Sequence, residues 1–403
     1  MAGRKAYIVG AKRTAIGSFL GGLSAVKPKE MGAAVVKALL AESGLKGEDI
    51  SEVICGNVLG AGLGQNIART ILLEAGIPDK VCAHSTNMVC GSGLRTVMEA
   101  VMSIQCGFNE VVLAGGVESM SQAPYLVPSN TRSGNKMGNW QAVDHMIYDA
   151  LTDARHDVHM GITAENIAEK YKITRQMQDE FAYASQQKAI KAVDAGRFKD
   201  EIVPITIKGK KGDIVFDTDE YPNRGTNPEK LSGLKPAFKK DGTVTAGNAS
   251  GINDGASFVL VVSEDALKKY NLKPLCEIVG IGQGGVDPLV MGLGPTPAIR
   301  NALNYAGLKL ADIDLVELNE AFAAQSLGVI HELVEEHKVN RDEFMKKTNV
   351  NGGAIALGHP VGASGNRILV TLIHEMIKSN KNLGLASLCI GGGQACAVIV
   401  KKC

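Results

Sequence analysis

The sequence has no continuous apolar run approaching the ~20 residues that a bilayer demands, so no membrane-spanning segment is expected. It also lacks charge of one sign: 43 lysines and arginines against 42 aspartates and glutamates leave +1 at neutral pH. With no global field, neither nucleic acid nor an anionic membrane is an expected partner, and any anionic ligand must be held by a local patch. The eight cysteines include no Cys-x-x-Cys pair, which argues against a disulfide framework or a structural zinc; reduced thiols in the cytoplasm are expected. No secretory leader is expected, because Ala6-Tyr7-Ile8-Val9 already reads as a strand. The last residues match neither a peroxisomal ending nor a prenylation box.

What is abundant is glycine. Its 47 residues gather in a few short loops, where backbone must turn tightly or approach a ligand. With 403 residues, 45% apolar and 21% charged, the chain predicts a folded enzyme of two or three domain-sized units.

The two ends of the chain resemble each other. Gly44-Leu45-Lys46-x-x-Asp49-Ile50-x-x-Val53 recurs as Gly307-Leu308-Lys309-x-x-Asp312-Ile313-x-x-Val316. Ser92-Gly93-Leu94-Arg95 recurs as Ser364-Gly365-Asn366-Arg367, and Val111-Val112-Leu113-Ala114-Gly115-Gly116 has a counterpart in Ser387-Leu388-Cys389-Ile390-Gly391-Gly392. Three matches in one order indicate a duplicated α/β unit, with short β-rich runs alternating with helical patterns and largely parallel sheets. Residues 1–120, continuing at about 246–275, form the expected first core half, and residues 276–403 the second. The more polar segment 121–245 reads as an inserted loop domain over the active site, with a helix from Thr174 in which Met177, Phe181 and Ala184 recur at helical spacing.

Three glycine-rich segments each hold a reactive side chain. In Asn87-Met88-Val89-Cys90-Gly91-Ser92-Gly93, the apolar residues Leu94, Val97, Met98, Val101 and Met102 follow at helical spacing, so Cys90 falls at a helix amino terminus. Unpaired N–H groups and the helix dipole there are expected to lower its pKa. The second segment, Asn349 to Gly365, surrounds His359 with five glycines within seven residues on either side. The third, Cys389-Ile390-Gly391-Gly392-Gly393, sets a cysteine at the end of an apolar strand before exposed backbone. Two thiols and an imidazole make a coherent set: a nucleophile, its base and a second acid/base group, with glycine amides able to form an oxyanion hole. For any one of these cysteines alone, a buried and inert thiol is the plain alternative.

Taken together, Asn87–Gly93, Gly247-Asn248-Ala249-Ser250-Gly251, Asn319-Glu320-Ala321-Phe322, Asn349–Gly365 and Cys389–Gly393 resemble the thiolase family over essentially the whole chain. The resemblance implies a thiolase fold: duplicated βαβαβαββ halves in α-β-α-β-α layers with the inserted loop domain. It implies reversible Claisen condensation of two acetyl-CoA to acetoacetyl-CoA and CoA, through an acetyl-cysteine. It assigns Cys90 as nucleophile, His359 as its base, and Cys389 as the group that moves the α-proton. Asn319 would hold a water at the enolate oxygen, and the N–H groups of Cys90 and Gly391 would face the tetrahedral intermediate. For coenzyme A it points to Leu151, His159, Met160, Ala246, Ser250 and Ala321. Met291, within Val290–Pro295, resembles the short-chain members in which a methionine narrows the acyl pocket.

The family's phosphate-binding arginine falls on Asn223, and Arg224, one place over, is the candidate for that role. Ordinary solvated surface is the alternative for Arg224 and for Lys208, Lys210 and Lys211. No cofactor or metal is implied, since coenzyme A thioesters are the substrates. The family is oligomeric, so a homotetramer built as a dimer of dimers is expected, with residues 121–145 as a contact loop. Within the family a degradative 3-ketoacyl-CoA thiolase of broader chain length is the alternative; outside it, a non-catalytic acyl-CoA-binding module. Two signals are set aside: Gly280–Gly285 fits G-x-G-x-x-G but reads as a loop, and His156-Asp157-Val158-His159 lacks the partners of a metal site.

Overall fold

The computed structural model describes residues 4–210 and 212–403. Its first half runs β1 (Ala6–Thr14), α1 (Pro28–Ser43), β2 (Glu52–Gly56), α2 (Ile67–Glu74), β3 (Cys82–Thr86), α3 (Ser92–Gln105), β4 (Val111–Ser119) and β5 (Asn253–Ser263). Within the long connection between β4 and β5 lie α4 (Met160–Tyr171) and α5 (Arg175–Asp194). The second half runs β6 (Cys276–Gly285), α6 (Pro295–Ala306), β7 (Leu315–Leu318), α7 (Ala323–His337), α8 (Ala354–Leu357), α9 (Val361–Lys378), β8 (Leu383–Ile390) and β9 (Gln394–Lys402).

Strand order makes the duplication explicit. The first half pairs as β3-β2-β4-β5-β1 and the second as β7-β8-β9-β6, with Thr348 bridging Val316 in parallel where a further strand would lie. The two sets join edge to edge through Tyr7↔Glu277 and Ile8↔Cys276. In each half all the strands but the last run the same way, as the sequence suggested, and the last strand turns back to lie antiparallel to both of its neighbours. The reason is the closing ββ connection, which needs no crossover helix. In the second half that connection is the turn after Ile390; in the first it is everything between Ser119 and Asn253.

Side-chain alternation along the strands builds five layers. Val53 and Cys55 of β2 face α1 and α2, while Ile54 faces a central core. In that core α3 (Leu94, Val97, Val101) and α9 (Leu369, Leu372, Ile373) lie between both sets of strands. On the far side, Leu385, Ala397 and Ile399 pack against α6 and α7. The order is therefore α-β-α-β-α. The matched Ser-Gly pairs of the two halves meet in the middle: a Cβ on Gly93 would fall 3.0 Å from Asn366 N, and one on Gly365 2.6 Å from Leu94 N. Only glycine lets the two helix starts approach this closely.

The segment Gly280–Gly285 is strand, not loop. A Cβ on Gly282 would lie 2.3 Å from Ala298 O, and one on Gly284 2.6 Å from Ala298 N, so alternate glycines admit the backbone of α6. The spacing that resembles a dinucleotide fingerprint is a helix-packing pattern here.

The connection 120–252 is tied down rather than draped. Arg13 of β1 is fully buried and bonds Glu201 Oε1 at 2.6 Å and both oxygens of Asp219 at 2.7 and 2.8 Å. Residues Ile202–Val203 also pair in parallel with Arg13 and Thr14. The helix foreseen from Thr174 is α5, with Thr174 as its N-cap. Its buried face, however, is Gln178, Ala182, Ser185, Gln186 and Ala189; Met177 and Ala184 are exposed. Polar partners in the core, such as Glu320 for Ser185 at 2.6 Å, make the polar face the inner one.

Candidate active site

Cys90 sits on a tight turn between β3 and α3. Val89 has φ +45°, a left-handed conformation unusual for a β-branched residue, and strain of this kind gathers at functional sites. The turn is braced locally. Val89 N donates to Asn87 Oδ1 at 3.0 Å, Met88 N to Ser92 Oγ at 2.9 Å, and Ser92 Oγ to Val89 O at 2.6 Å. Cys90 stands just ahead of the N-cap Gly91, as the apolar spacing predicted.

Gly91 is where the second half arrives: a Cβ there would lie 2.2 Å from Ile390 Cδ1. Glycine at 91 thus lets the end of β8, with Cys389 and Ile390, press against the Cys90 turn. The backbone N–H groups of Gly391 and of Cys90 itself both point at the Cys90 sulfur. These donors do not lower the thiol pKa overall. Burial pushes it up to about 11, helped by the nearby charge of Glu118, and the two N–H groups only moderate the rise. The helix-terminus expectation is corrected on that point: desolvation outweighs the dipole. Cys389 is buried, and its thiol is also raised, by burial first and then by the proximity of Cys90.

His359 lies on the turn before α9. Its backbone N donates to Asn253 Oδ1 at 2.9 Å, and Gly358, at φ +99°, leaves the room that Asn253 fills. Its Nδ1 is 2.5 Å from Ser364 Oγ, and its Nε2 is 3.5 Å from Asn319 Nδ2. Burial, with the charge of Arg367, holds the imidazole down to about 3, so it is neutral. Asn319 follows β7 and donates its backbone N to Ser387 O at 3.0 Å. Its side-chain Oδ1 is buried without a protein partner. The next residue, Glu320, is held by Ser185 and by Asn349 Nδ2 at 2.8 Å.

Around Cys389 an apolar cluster gathers Met160, Ala249, Met291, Ala321, Phe322 and, at its edge, Phe238. Leu151 packs beside Cys90 and Val361. His159 stacks on Phe238 with ring centroids 4.6 Å apart, and its Nδ1 accepts from Gly161 N. Ser250 N donates to Ala321 O at 2.9 Å, tying the Gly247–Gly251 loop to the segment after Asn319. All five residues named from the sequence for catalysis and six named for coenzyme contacts (Leu151, His159, Met160, Ser250, Met291, Ala321) thus lie on these connected loops and clusters. Ala246 is exposed, and Arg224 is exposed with its guanidinium engaged by Asp194. Lys208 pairs with Asp213, while Lys211 lies outside the described residues. Among the described residues no group of three or more His, Cys, Asp or Glu side chains is arranged to hold a metal.

Sequence reasoning passed over Ser364, Asn253 and Phe238. Ser364 lay inside a quoted motif and could have been found from its spacing to His359; Phe238, in an unpatterned stretch, left no such signal.

The chain is similar to known proteins along its whole length. Residues 6–265 match the family description "Thiolase, N-terminal domain" and residues 272–402 "Thiolase, C-terminal domain". The chain belongs to the thiolase family. It is similar to an acetyl-CoA acetyltransferase of Thiocystis violacea, 53% identical over 396 residues and 98% of each chain. Among solved structures, the acetyl-CoA acetyltransferase of Syntrophomonas wolfei matches this thiolase over 100% of both chains with TM-score 0.97 at 44% identity. The human mitochondrial 3-ketoacyl-CoA thiolase matches over 99% of both with TM-score 0.94 at 45% identity. The five-layer thiolase fold is shared throughout.

Proposed function

We propose that this acyltransferase condenses two acetyl-CoA into acetoacetyl-CoA and CoA, and runs the reverse thiolysis, through an acetyl thioester on Cys90. The observation that carries the reading is that loops of both halves bring reactive groups together: the Gly391 N–H points at the Cys90 sulfur, Cys389 is buried close to Cys90, and His359 Nε2 lies 3.5 Å from Asn319 Nδ2. A thiol pushed up to about 11 is not a thiolate at neutral pH, so its proton must leave as the C–S bond forms. The neutral imidazole of His359 is its acceptor in this reading. As Cys90 attacks the thioester carbonyl, the oxyanion forms at the N–H groups of Cys90 and Gly391, and CoA leaves as a thiol carrying that proton. For the second half-reaction the thiol proton of Cys389 passes to His359 Nε2, and the Cys389 thiolate takes an α-proton from a second acetyl-CoA. The enolate oxygen is stabilised by the Nε2–H of that imidazolium and by a water held at Asn319. The enolate carbon attacks the acetyl-Cys90 carbonyl, the C–S bond breaks, and the imidazolium gives its proton to the Cys90 thiolate, which leaves Cys389 a thiol again.

The relatives named acetyl-CoA acetyltransferase support acetyl-CoA and CoA as the substrates. Met291, buried beside Cys389 and Ala321, supports a short acyl chain over the degradative alternative, because added methylenes would meet its side chain. Residues 121–245 would hold the pantetheine arm through Leu151, His159 and Met160, with Ser250, Ala246 and Ala321 on the other side and Arg224 toward the phosphates. No cofactor is required. Exposed Met137 and Trp140 support a homotetramer joined through this segment, and cytoplasmic residence fits a fold in which no described helix is long and apolar enough to cross a membrane. Mass spectrometry after brief exposure to acetyl-CoA tests the core of the reading: the acetyl group is expected on Cys90 alone. Acetyl on Cys389 with Cys90 free would reverse the two assignments.

A further inference from the structure

Beside the Cys90 turn lies a carboxylate for which the reaction above has no step. Glu118, near the end of β4, is fully buried. Its Oε1 accepts from Asn57 Nδ2 at 2.9 Å and Leu59 N at 3.1 Å, and its Oε2 from Val58 N and Gly362 N, both at 3.0 Å. Three of these donors belong to the loop after β2, in the half that carries Cys90. The fourth belongs to the first turn of α9, three residues past His359. All four are N–H groups, which an ionised carboxylate accepts without setting an O–H against an N–H; burial pushes its pKa up to about 7 while the backbone donors hold it down, so it is ionised at pH 8.

The contact leaves no slack. A Cβ on Gly362 would lie 2.6 Å from Glu118 Oε2, and a Cβ on Gly116 would lie 2.0 Å from Gly362 O. Two glycines thus bring the strand of one half and the helix start of the other to backbone distance, with the carboxylate bridging them. Val361, next to Gly362, packs with Val58, Leu59 and Cys90.

We propose that Glu118 is a positioning residue: its carboxylate fastens the turn bearing His359 to the half bearing Cys90 and so sets the approach of imidazole to thiol. The inference rests on the Cys90–His359 pairing proposed above. Its charge has a second consequence. Asp254 of β5 faces it from one side and Cys90 from the other, and the negative charge favours a protonated resting thiol. Positioning therefore speeds turnover while the charge slows the bare thiolate, and the two effects separate in one variant.

Glu118→Gln keeps the shape and loses the charge. It should turn over acetoacetyl-CoA at least about tenfold more slowly with KM within about threefold, because the thiol and its base are misplaced rather than the substrate. Its Cys90 should nonetheless be alkylated by iodoacetamide at pH 8 about threefold or more faster than in the wild type. A loss of fold would also open the buried Cys55 and Cys276 to iodoacetamide, so the faster alkylation must be confined to Cys90 by peptide mapping. Turnover within twofold of wild type, or slower turnover without faster alkylation, overturns the proposal. Should Glu118→Gln not fold, Gly362→Ala displaces the carboxylate but keeps its charge: turnover should fall about tenfold with alkylation unchanged, and wild-type turnover would overturn the clamp. Acetylation of Cys90 in the wild type, read in parallel, tests the underlying pairing by itself.

Discussion

Ser364 Oγ stands 2.5 Å from His359 Nδ1 and 2.9 Å from Pro360 O. A serine hydroxyl has one proton, and the carbonyl can only accept, so the serine donates to Pro360 and receives from His359. The proton of the neutral imidazole is thereby placed on Nδ1. The lone pair is left on Nε2, which faces Asn319 and the site.

Ser364→Ala should therefore lower kcat at least about tenfold, equivalent to ~1.4 kcal/mol, by freeing the ring to rotate and change tautomer. Acetylation of Cys90 should slow in parallel, while the thermal midpoint moves little. Unchanged single-turnover acetylation would show that the serine does not orient the base.

Cys389→Ala should separate the half-reactions. The burst of CoA from acetyl-CoA should persist, because acylation of Cys90 moves no α-proton. Condensation and exchange of the acetyl methyl protons with solvent should fall by ~10²–10⁴, the usual contribution of an acid–base group. If the burst vanishes as it does in Cys90→Ala, Cys389 is needed for acylation and the division of roles fails.

Met291→Ala should widen the pocket beside Cys389. The ratio of kcat/KM for a ten-carbon over a four-carbon 3-ketoacyl-CoA should rise, and emptying a fully packed site should cost ~2–5 kcal/mol of stability. A wild type that already accepts both chain lengths equally would remove the short-chain reading.

Gly282→Val tests the strand reading of Gly280–Gly285. Its Cβ would meet Ala298 O at 2.3 Å and Ala302 N at 2.4 Å, so strand or helix must shift. Overpacking of this kind costs ~1–3 kcal/mol or more and should lower the melting temperature by several degrees. A wild-type melting curve would mean α6 does not rest on that strand.

The glycine-rich loops that hold Cys90, His359 and Cys389 were legible because reactive side chain and backbone need coincide in them. Cys90, His359 and Cys389 each stand among glycines that the structure uses for close approach, as Gly91 does under Ile390 and Gly358 beside Asn253. The duplication was legible for a similar reason, since Gly93 and Gly365 must both stay bare for the central helices to meet. What could not be read was set by tertiary surroundings. The dipole argument at Cys90 is local and sound, but how deeply the sulfur is buried depends on residues hundreds of positions away. On α5 the apolar residues Met177 and Ala184 face outward because Glu320 waits in the core for Ser185. Glycine at alternate positions of β6 looks like a loop until α6 is known to lie across it.

The repeat that aligns Ser92 with Ser364 also aligns Asn87 with His359, and Cys90 with Gly362. One strand-to-helix loop has thus been written twice and specialised in opposite directions: one copy kept the sulfur, the other took the imidazole. Because the helices that follow the loops lie face to face, the proposed nucleophile and its base come from the same loop of two related halves. A protein cut in the exposed stretch between β5 and β6 would leave each fragment with half of a proton transfer. Activity should then appear only on mixing, and saturate when the fragments are equimolar.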